Sequence, residues 1–315
     1  MSKNTFSALL VEDKESQANL IELENADALP NQGGDLLIRV THSSLNYKDG
    51  LAVTGKGKVL RSFPIVPGID LAGVVEDAGE STKFKAGDQV FVTGWGVGEQ
   101  VSGGYAGFAK VKPEWAELIP EGLSAMHCMA LGTAGFTAML ATLSLEDHNV
   151  LPDSGPVLVT GASGGVGSIA ISLLAKRQYN VVASTGRIEE QGDYLKSLGA
   201  SEIIHREELS SPSGRPLDSE RWAGAIDSVG GETLASILRQ TQYRGSVAAC
   251  GLAGGASLPS TVLPFILRGV NLLGIDSVMC PSWLRKRAWS RMSEDIDLKT
   301  LEQLIQVIPL DAVPD

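Results

Sequence analysis

Val157-Leu158-Val159-Thr160-Gly161-Ala162-Ser163-Gly164-Gly165-Val166-Gly167-Ser168-Ile169-Ala170 is the stretch on which the fold turns. An apolar run enters a glycine-rich segment, and small apolar residues at helical spacing leave it. Gly165 to Ala170 satisfies the template G-x-G-x-x-G/A, and Ala162 to Gly167 fits the same template with Ala in the first place. Missing β-carbons let backbone approach a pyrophosphate, and a helix N-terminus offers unpaired N–H groups with a favourable dipole. A tight strand-to-helix turn without a ligand has the same local pattern, so the surroundings decide.

Those surroundings alternate. Apolar runs at 157–160, 181–185, 202–205, 225–228, 246–250 and 271–275 read as strands, with helical patterns at 167–177, 189–198, 233–241 and 263–268 between them. Such alternation predicts βαβ units and a doubly wound parallel sheet, an α/β Rossmann domain over 126–280. Residues 126–145 carry small and apolar side chains at helical spacing. The first 125 residues differ, with short Val-, Ile- and Leu-rich runs at 6–12, 19–23, 36–42, 71–77 and 89–93. Turn signals separate them: Pro30-Asn31-Gln32-Gly33-Gly34, Pro67-Gly68, Gly79 and Ala86-Gly87-Asp88. This spacing predicts an antiparallel or barrel-like domain at 1–125. Beyond Pro281, helical stretches at 283–292 and 298–305 complete the chain.

Composition bounds the function. Glycine makes up 36 of 315 residues, above the usual share of roughly 7%. The balance of 26 basic and 37 acidic residues gives −11, which opposes non-specific nucleic-acid binding or an anionic membrane surface but leaves room for a local anion site. Met1 to Asp13 contain an apolar stretch too short for a signal peptide, and no later run reads as a transmembrane helix. Cys128, Cys250 and Cys280 are widely spaced and odd in number, which argues against a disulfide framework. A cytoplasmic protein without a nucleic-acid or membrane partner is expected.

The second strand selects the cofactor. Ala183-Ser184-Thr185-Gly186-Arg187 ends it with hydroxyls and a guanidinium, and no carboxylate appears before Glu189. An acid there would hold the ribose 2′-hydroxyl of NAD, whereas Arg suits a 2′-phosphate. NADPH is the expected cofactor, with Arg206 within reach of the same pocket; a solvated loop arginine is the alternative for Arg187.

Longer motifs carry a resemblance. Ser44-Leu45-Asn46-Tyr47-Lys48-Asp49, Thr54-Gly55-Lys56-Gly57-Lys58 and Phe63-Pro64-Ile65-Val66-Pro67-Gly68-Ile69-Asp70 resemble the NADPH-dependent acrylyl-CoA reductases. So do Thr93-Gly94-Trp95-Gly96-Val97-Gly98-Glu99, Gly132-Thr133-Ala134-Gly135-Phe136-Thr137-Ala138-Met139-Leu140 and Ala249-Cys250-Gly251-Leu252-Ala253-Gly254-Gly255. That family belongs to the zinc-free, quinone-oxidoreductase-like branch of the medium-chain dehydrogenases/reductases. The resemblance implies a GroES-like catalytic domain, a Rossmann domain, a cleft between them and a homodimer. It implies NADPH contacts at Tyr47, Ser163, Gly164, Gly165, Val166, Thr185, Gly186, Arg187, Arg206, Leu252, Ile266 and Ser277. It also implies that 281–315 pack back onto the first domain. Family members continue past Asp315 with a helix and a strand, so that domain is expected to be C-terminally truncated.

Metal chemistry is not expected. Zinc-dependent relatives carry Cys where Asn46 stands and His-Glu where Ile69-Asp70 stand; neither Asn46 nor Ile69 is a good zinc ligand. His127-Cys128 lack ligand-spaced partners and read as packing. Without zinc, an activated C=C bond suits hydride addition better than a simple carbonyl. The expected reaction is NADPH-dependent reduction of acrylyl-CoA to propionyl-CoA. Tyr47 is the candidate beside the nicotinamide, for positioning or proton donation. Asn46 is expected to orient the site, and Thr133 to touch the carboxamide or cap a helix. Asp49 and Asp70 are expected to fix local backbone. Lys56, Lys58 and Arg61 form a basic loop that fits the phosphates of an acyl-CoA, or else a solvated surface. Arg285-Lys286-Arg287 and Arg291 read as a solvated face or dimer rim. An NADPH:quinone oxidoreductase is the alternative enzyme, and a non-catalytic NADPH-binding or redox-sensing protein the alternative of another class.

Overall fold

The computed structural model describes residues 5–210 and 215–314. The chain divides into two compact units, 1–133 with 298–315, and 134–297.

In the first unit, β1 (Phe6–Leu10) pairs with β2 (Asn19–Leu23) as an antiparallel ribbon. A five-stranded antiparallel sheet is built from β3 (Leu36–Ser43), β4 (Asp70–Asp77), β5 (Gln89–Thr93), β6 (Phe108–Val111) and β7 (Glu117–Leu118), in the order β6-β3-β4-β5-β7. β4 lies at its centre, and residues 70–73 are all buried, which explains the unbroken apolar run there. A core of Leu36, Ile38, Leu71, Val75, Val90 and Val92 sits against this sheet. Between β3 and β4 lies α1 (Tyr47–Val53). Apolar periodicity does not reveal so short a helix. Its cap does, because Asp49 at the third helical position accepts from the Asn46 N–H at 2.9 Å.

The second unit carries six parallel strands: β8 (Pro156–Val159), β9 (Asn180–Thr185), β10 (Glu202–His205), β11 (Trp222–Asp227), β12 (Thr241–Ala249) and β13 (Asn271–Gly274). Their order, β10-β9-β8-β11-β12-β13, is the doubly wound arrangement that reverses direction beside β8. Every residue of β11 is buried, as expected for a parallel strand covered on both faces. The crossovers are α3 (Gly165–Lys176), α4 (Ile188–Ser197), α5 (Glu207–Ser210), α6 (Gly231–Gln240) and α7 (Leu263–Arg268); α8 (Ser282–Asp295) follows β13, and α9 (Leu298–Leu304) belongs to the first unit.

Three expectations are corrected. The unit boundary falls at 133/134 instead of 125, and only 298–315 group with the first unit, not 281–315. Side chains of α8 explain this: Arg291 pairs with Glu146 at 2.8 Å and Arg287 with Asp147 at 2.7 Å, Asp295 bonds Arg177, and Trp289 stacks on Phe136. In the basic cluster on α8, Lys286 and Arg287 are exposed, as a solvated face requires, whereas Arg285 and Arg291 are drawn into the unit. Arg285 is 3% exposed, donates to the Cys280, Ser277 and Val278 carbonyls, and packs over the Phe136 ring. Finally, the helix Ala125–Asp147, here α2, is long and apolar enough to cross a membrane, contrary to the sequence expectation. Most of its apolar stretch is buried, and it breaks at Gly132. Met1–Asn4, part of the segment read for a signal peptide, lie outside the described residues.

Candidate active site

In the second unit the site begins where β8 ends. Gly161 has φ +56, and a β-carbon there would stand 2.4 Å from Ser228 Oγ. At Gly167 a β-carbon would lie 2.4 Å from the Gly161 carbonyl oxygen. Both positions tolerate only glycine, which closes the turn tightly onto the start of α3. The first amides of α3, at Gly165, Val166 and Gly167, have no intrahelical acceptor and so remain available to an anion. Asp227 at the end of β11 fixes this arrangement. Its wholly buried carboxylate accepts from Thr160 Oγ1 at 2.6 Å, Gly230 N at 2.8 Å and Val229 N at 3.3 Å. Burial pushes its carboxyl above the usual range. Sequence reading missed Asp227 because its partner lies far along the chain, although an acid closing an apolar strand was a visible signal.

The structure brings several predicted cofactor residues together. Arg187 Nη2 donates to Ser163 Oγ at 3.0 Å, and the Arg187 N–H donates to Thr185 Oγ1 at 3.2 Å. Arg206 lies over Gly186, where a β-carbon would meet its Nε at 2.7 Å. Two exposed guanidinium groups and two hydroxyls thus surround one small patch, a donor set that fits a phosphate dianion. Gly164, Gly165 and Val166 line the turn. Leu252 and Ile266 are 65% and 68% exposed apolar side chains on the loop after β12 and on α7. Ser277 follows β13, with its carbonyl held by Arg285 at 2.9 Å. The glycine turn, the open amides and the cationic patch fit a dinucleotide phosphate.

In the first unit the centre is Asp70, which is 0% exposed. Its Oδ2 accepts from Ser44 Oγ at 2.6 Å, Asn46 Nδ2 at 3.0 Å and Thr133 N at 2.8 Å; its Oδ1 accepts from Thr133 Oγ1 at 2.5 Å. Asn46 and Thr133, two of the predicted catalytic residues, therefore meet through one carboxylate. Tyr47, the third, opens α1 with 83% exposure. Asp49 accepts from Asn46 Nδ2 at 3.1 Å and Ile69 N at 3.0 Å. Burial, then the Asp70 charge, push the Asp49 carboxyl up to about 6. Tyr105 donates to the Ser44 carbonyl at 2.9 Å, and burial raises its phenol far above the ordinary range. Lys56, Lys58 and Arg61 are exposed. Lys48, by contrast, is engaged with Glu99 at 2.7 Å.

Residues 32–121 match the alcohol dehydrogenase GroES-like domain family, and residues 165–295 the zinc-binding dehydrogenase family. The acrylyl-CoA reductase AcuI of Ruegeria pomeroyi is 50% identical over 98% of this chain and 93% of its own length. The chain belongs to the acrylyl-CoA reductase family. The yhdH oxidoreductase from Salmonella enterica, solved in complex with NADP, has a TM-score of 0.93 at 50% identity, covering 98% of this chain and 94% of its own. Bacillus subtilis yhfP, solved with NAD bound, has a TM-score of 0.89 at 46% identity, covering 95% and 90%. The zinc implied by the second family description does not suit this acrylyl-CoA reductase family member. Ile69 has no donor atom, the Asp70 oxygens are taken by four hydrogen bonds, and the Asn46 amide nitrogen is turned toward carboxylates. Among the described residues, no three His, Cys, Asp or Glu side chains are grouped to hold a metal.

Proposed function

We propose that this chain reduces the C=C bond of acrylyl-CoA to give propionyl-CoA, with NADPH as reductant. The observation that carries the reading is Arg187 reaching Ser163 beside a glycine turn, with no carboxylate before Glu189 to favour the unphosphorylated cofactor. The substrate is supported by the 50% identity with the Ruegeria acrylyl-CoA reductase. When bound, NADPH supplies the hydride that the β-carbon takes. Arg187, Arg206, Ser163, Thr185 and Gly186 hold the 2′-phosphate, while the amides at Gly165 and Val166 hold the pyrophosphate against the Gly164 backbone. Leu252, Ile266 and Ser277 complete the cofactor surface. Tyr47, whose hydroxyl is exposed, is the proton donor for the α-carbon; Asn46 and Thr133 orient the reacting end. Lys56, Lys58 and Arg61 attract the phosphates of CoA. A homodimer is part of the same reading. So is a cytoplasmic location, which the free thiols of Cys128, Cys250 and Cys280 favour.

NADPH oxidation with acrylyl-CoA, crotonyl-CoA and a small quinone, measured side by side, tests this. Fastest turnover with acrylyl-CoA is expected. Turnover only with the quinone would overturn the substrate, and turnover with none would leave a binding protein. Light scattering on the purified chain decides the dimer.

A further inference from the structure

Glu99 closes the glycine loop 94–98, and its side chain is 11% exposed. That loop is a fixed base, because a β-carbon on Gly98 would lie 2.6 Å from the Gly68 backbone. From this base Glu99 holds two other segments of the first unit. Its Oε1 accepts from Lys48 Nζ on α1 at 2.7 Å, and its carbonyl accepts from the Arg61 N–H at 2.8 Å. The neighbouring Gln100 carbonyl accepts from Ser62 Oγ at 2.6 Å. At the other end of the basic loop, the Lys56 N–H donates to the Leu51 carbonyl of α1 at 3.1 Å. The loop that carries Lys56, Lys58 and Arg61 is thus pinned at both ends, and Glu99 joins helix, loop and base at one point.

Stability does not account for this arrangement. A partly exposed ion pair contributes little, and taking the Glu99 carboxylate out of water costs more than an apolar side chain would. Charge alone does not account for it either. A carboxylate beside Lys48 and the Arg61 backbone lowers the attraction of this surface for an anion. What Glu99 adds is position, since cations fixed before a ligand arrives lose less freedom on binding it. We infer that Glu99 is a positioning residue for recognition of the substrate's phosphates, holding Lys48 and the basic loop 56–61 as one preset cationic surface on the first unit. The inference deepens the acyl-CoA reading and rests on it.

Acrylyl-pantetheine keeps the thioester and lacks every phosphate. The ratio of its KM to that of acrylyl-CoA, with NADPH saturating, therefore reads phosphate recognition. Glu99→Gln removes a negative charge at nearly constant volume. By charge alone the ratio should rise; by position it should fall roughly 3–10-fold, the worth of one hydrogen bond. Lys48→Met should lower it as well, whereas Lys48→Arg, which keeps the ion pair, should preserve it. In the Glu99→Gln background Lys48→Met should add little, because the two residues act as a unit. An unchanged or larger ratio in Glu99→Gln, or additive effects of the two substitutions, would overturn the inference and leave the reductase reading intact. Equal KM values for the two thioesters in the unaltered protein would remove phosphate recognition, and the inference with it. Absence of turnover with either thioester would instead overturn the reductase reading; calorimetric titration with propionyl-CoA and propionyl-pantetheine then reads the same ratio as dissociation constants. Should Glu99→Gln fail to fold, the Lys48 variants decide, and a Lys48→Met ratio equal to that of the unaltered protein overturns the inference.

Discussion

A β-carbon on Gly132 would lie 2.7 Å from Asp70 Oδ2. Gly132 itself adopts φ +50 and ψ −156, a backbone region that side chains rarely enter, and it interrupts α2 there. The break turns the Thr133 amide and hydroxyl onto the carboxylate. Gly132→Ala therefore meets a steric clash and a strained backbone together. Thermal and urea unfolding should show a loss of about 2–4 kcal/mol, with activity falling further because Thr133 is displaced.

Arg187 and Arg206 flank Gly186, and no carboxylate stands between the end of β9 and Glu189, where an acid would favour a ribose hydroxyl. Arg187→Ala should raise the KM for NADPH by roughly 10–100-fold, the worth of a charge-assisted hydrogen bond, and leave KM for NADH nearly unchanged. Arg206→Ala should act in the same direction. Equal effects on the two cofactors, measured by steady-state kinetics, would remove the 2′-phosphate assignment.

Asp49 makes stability depend on pH. Its carboxyl is raised from 3.8 to about 6 in the fold, by burial and by the charge of Asp70. The folded state then binds a proton more tightly than the unfolded chain between those values. Asp49 thus contributes most stability below about 4, and that contribution is lost as pH rises through about 6. A shift of this size corresponds to about 3 kcal/mol. Urea unfolding of the protein and of Asp49→Asn at pH 4 and pH 7 should show the difference between them moving by up to that amount, in the variant's favour at pH 7. A difference constant with pH would refute the assignment.

The thiols should be inert. Burial pushes Cys128 up to about 12; burial, then the charge of Asp227, do the same to Cys250, and burial raises Cys280. Thiolate, the reactive form, is scarce at such values. Ellman's reagent at pH 8 should label the native protein only slowly and all three cysteines after unfolding. Cys250→Ser should leave kcat within about twofold. A rapidly labelled native cysteine would contradict this.

Much of the second unit is legible in local sequence. The strand, turn and helix from Val157 to Ala170 are contiguous, and the glycine spacing encodes the turn because backbone sterics act within a few residues. Arg187 is legible for the same reason, standing at a fixed distance along the chain after the second strand. The antiparallel character of the first unit follows from short runs and turn signals, though β6 and β7 are too brief to register. The helix α1 needed its Asn46–Asp49 cap to be noticed.

What no local pattern states is which distant groups meet. Thr160 and Asp227, Asn46 and Asp70, Thr133 and Asp70, and Arg285 and Phe136 are brought together only by sheet register and helix packing. The sequence alone determined the strand-to-helix turn, the cofactor class and the absence of a good zinc set, since each depends on residue type at short spacing. Tertiary structure alone decided that α2 breaks at Gly132, that Arg285 is interior, and that Thr133 turns its proton inward. Those outcomes depend on burial, where a polar group must find its partner within the fold because water is not there to supply one.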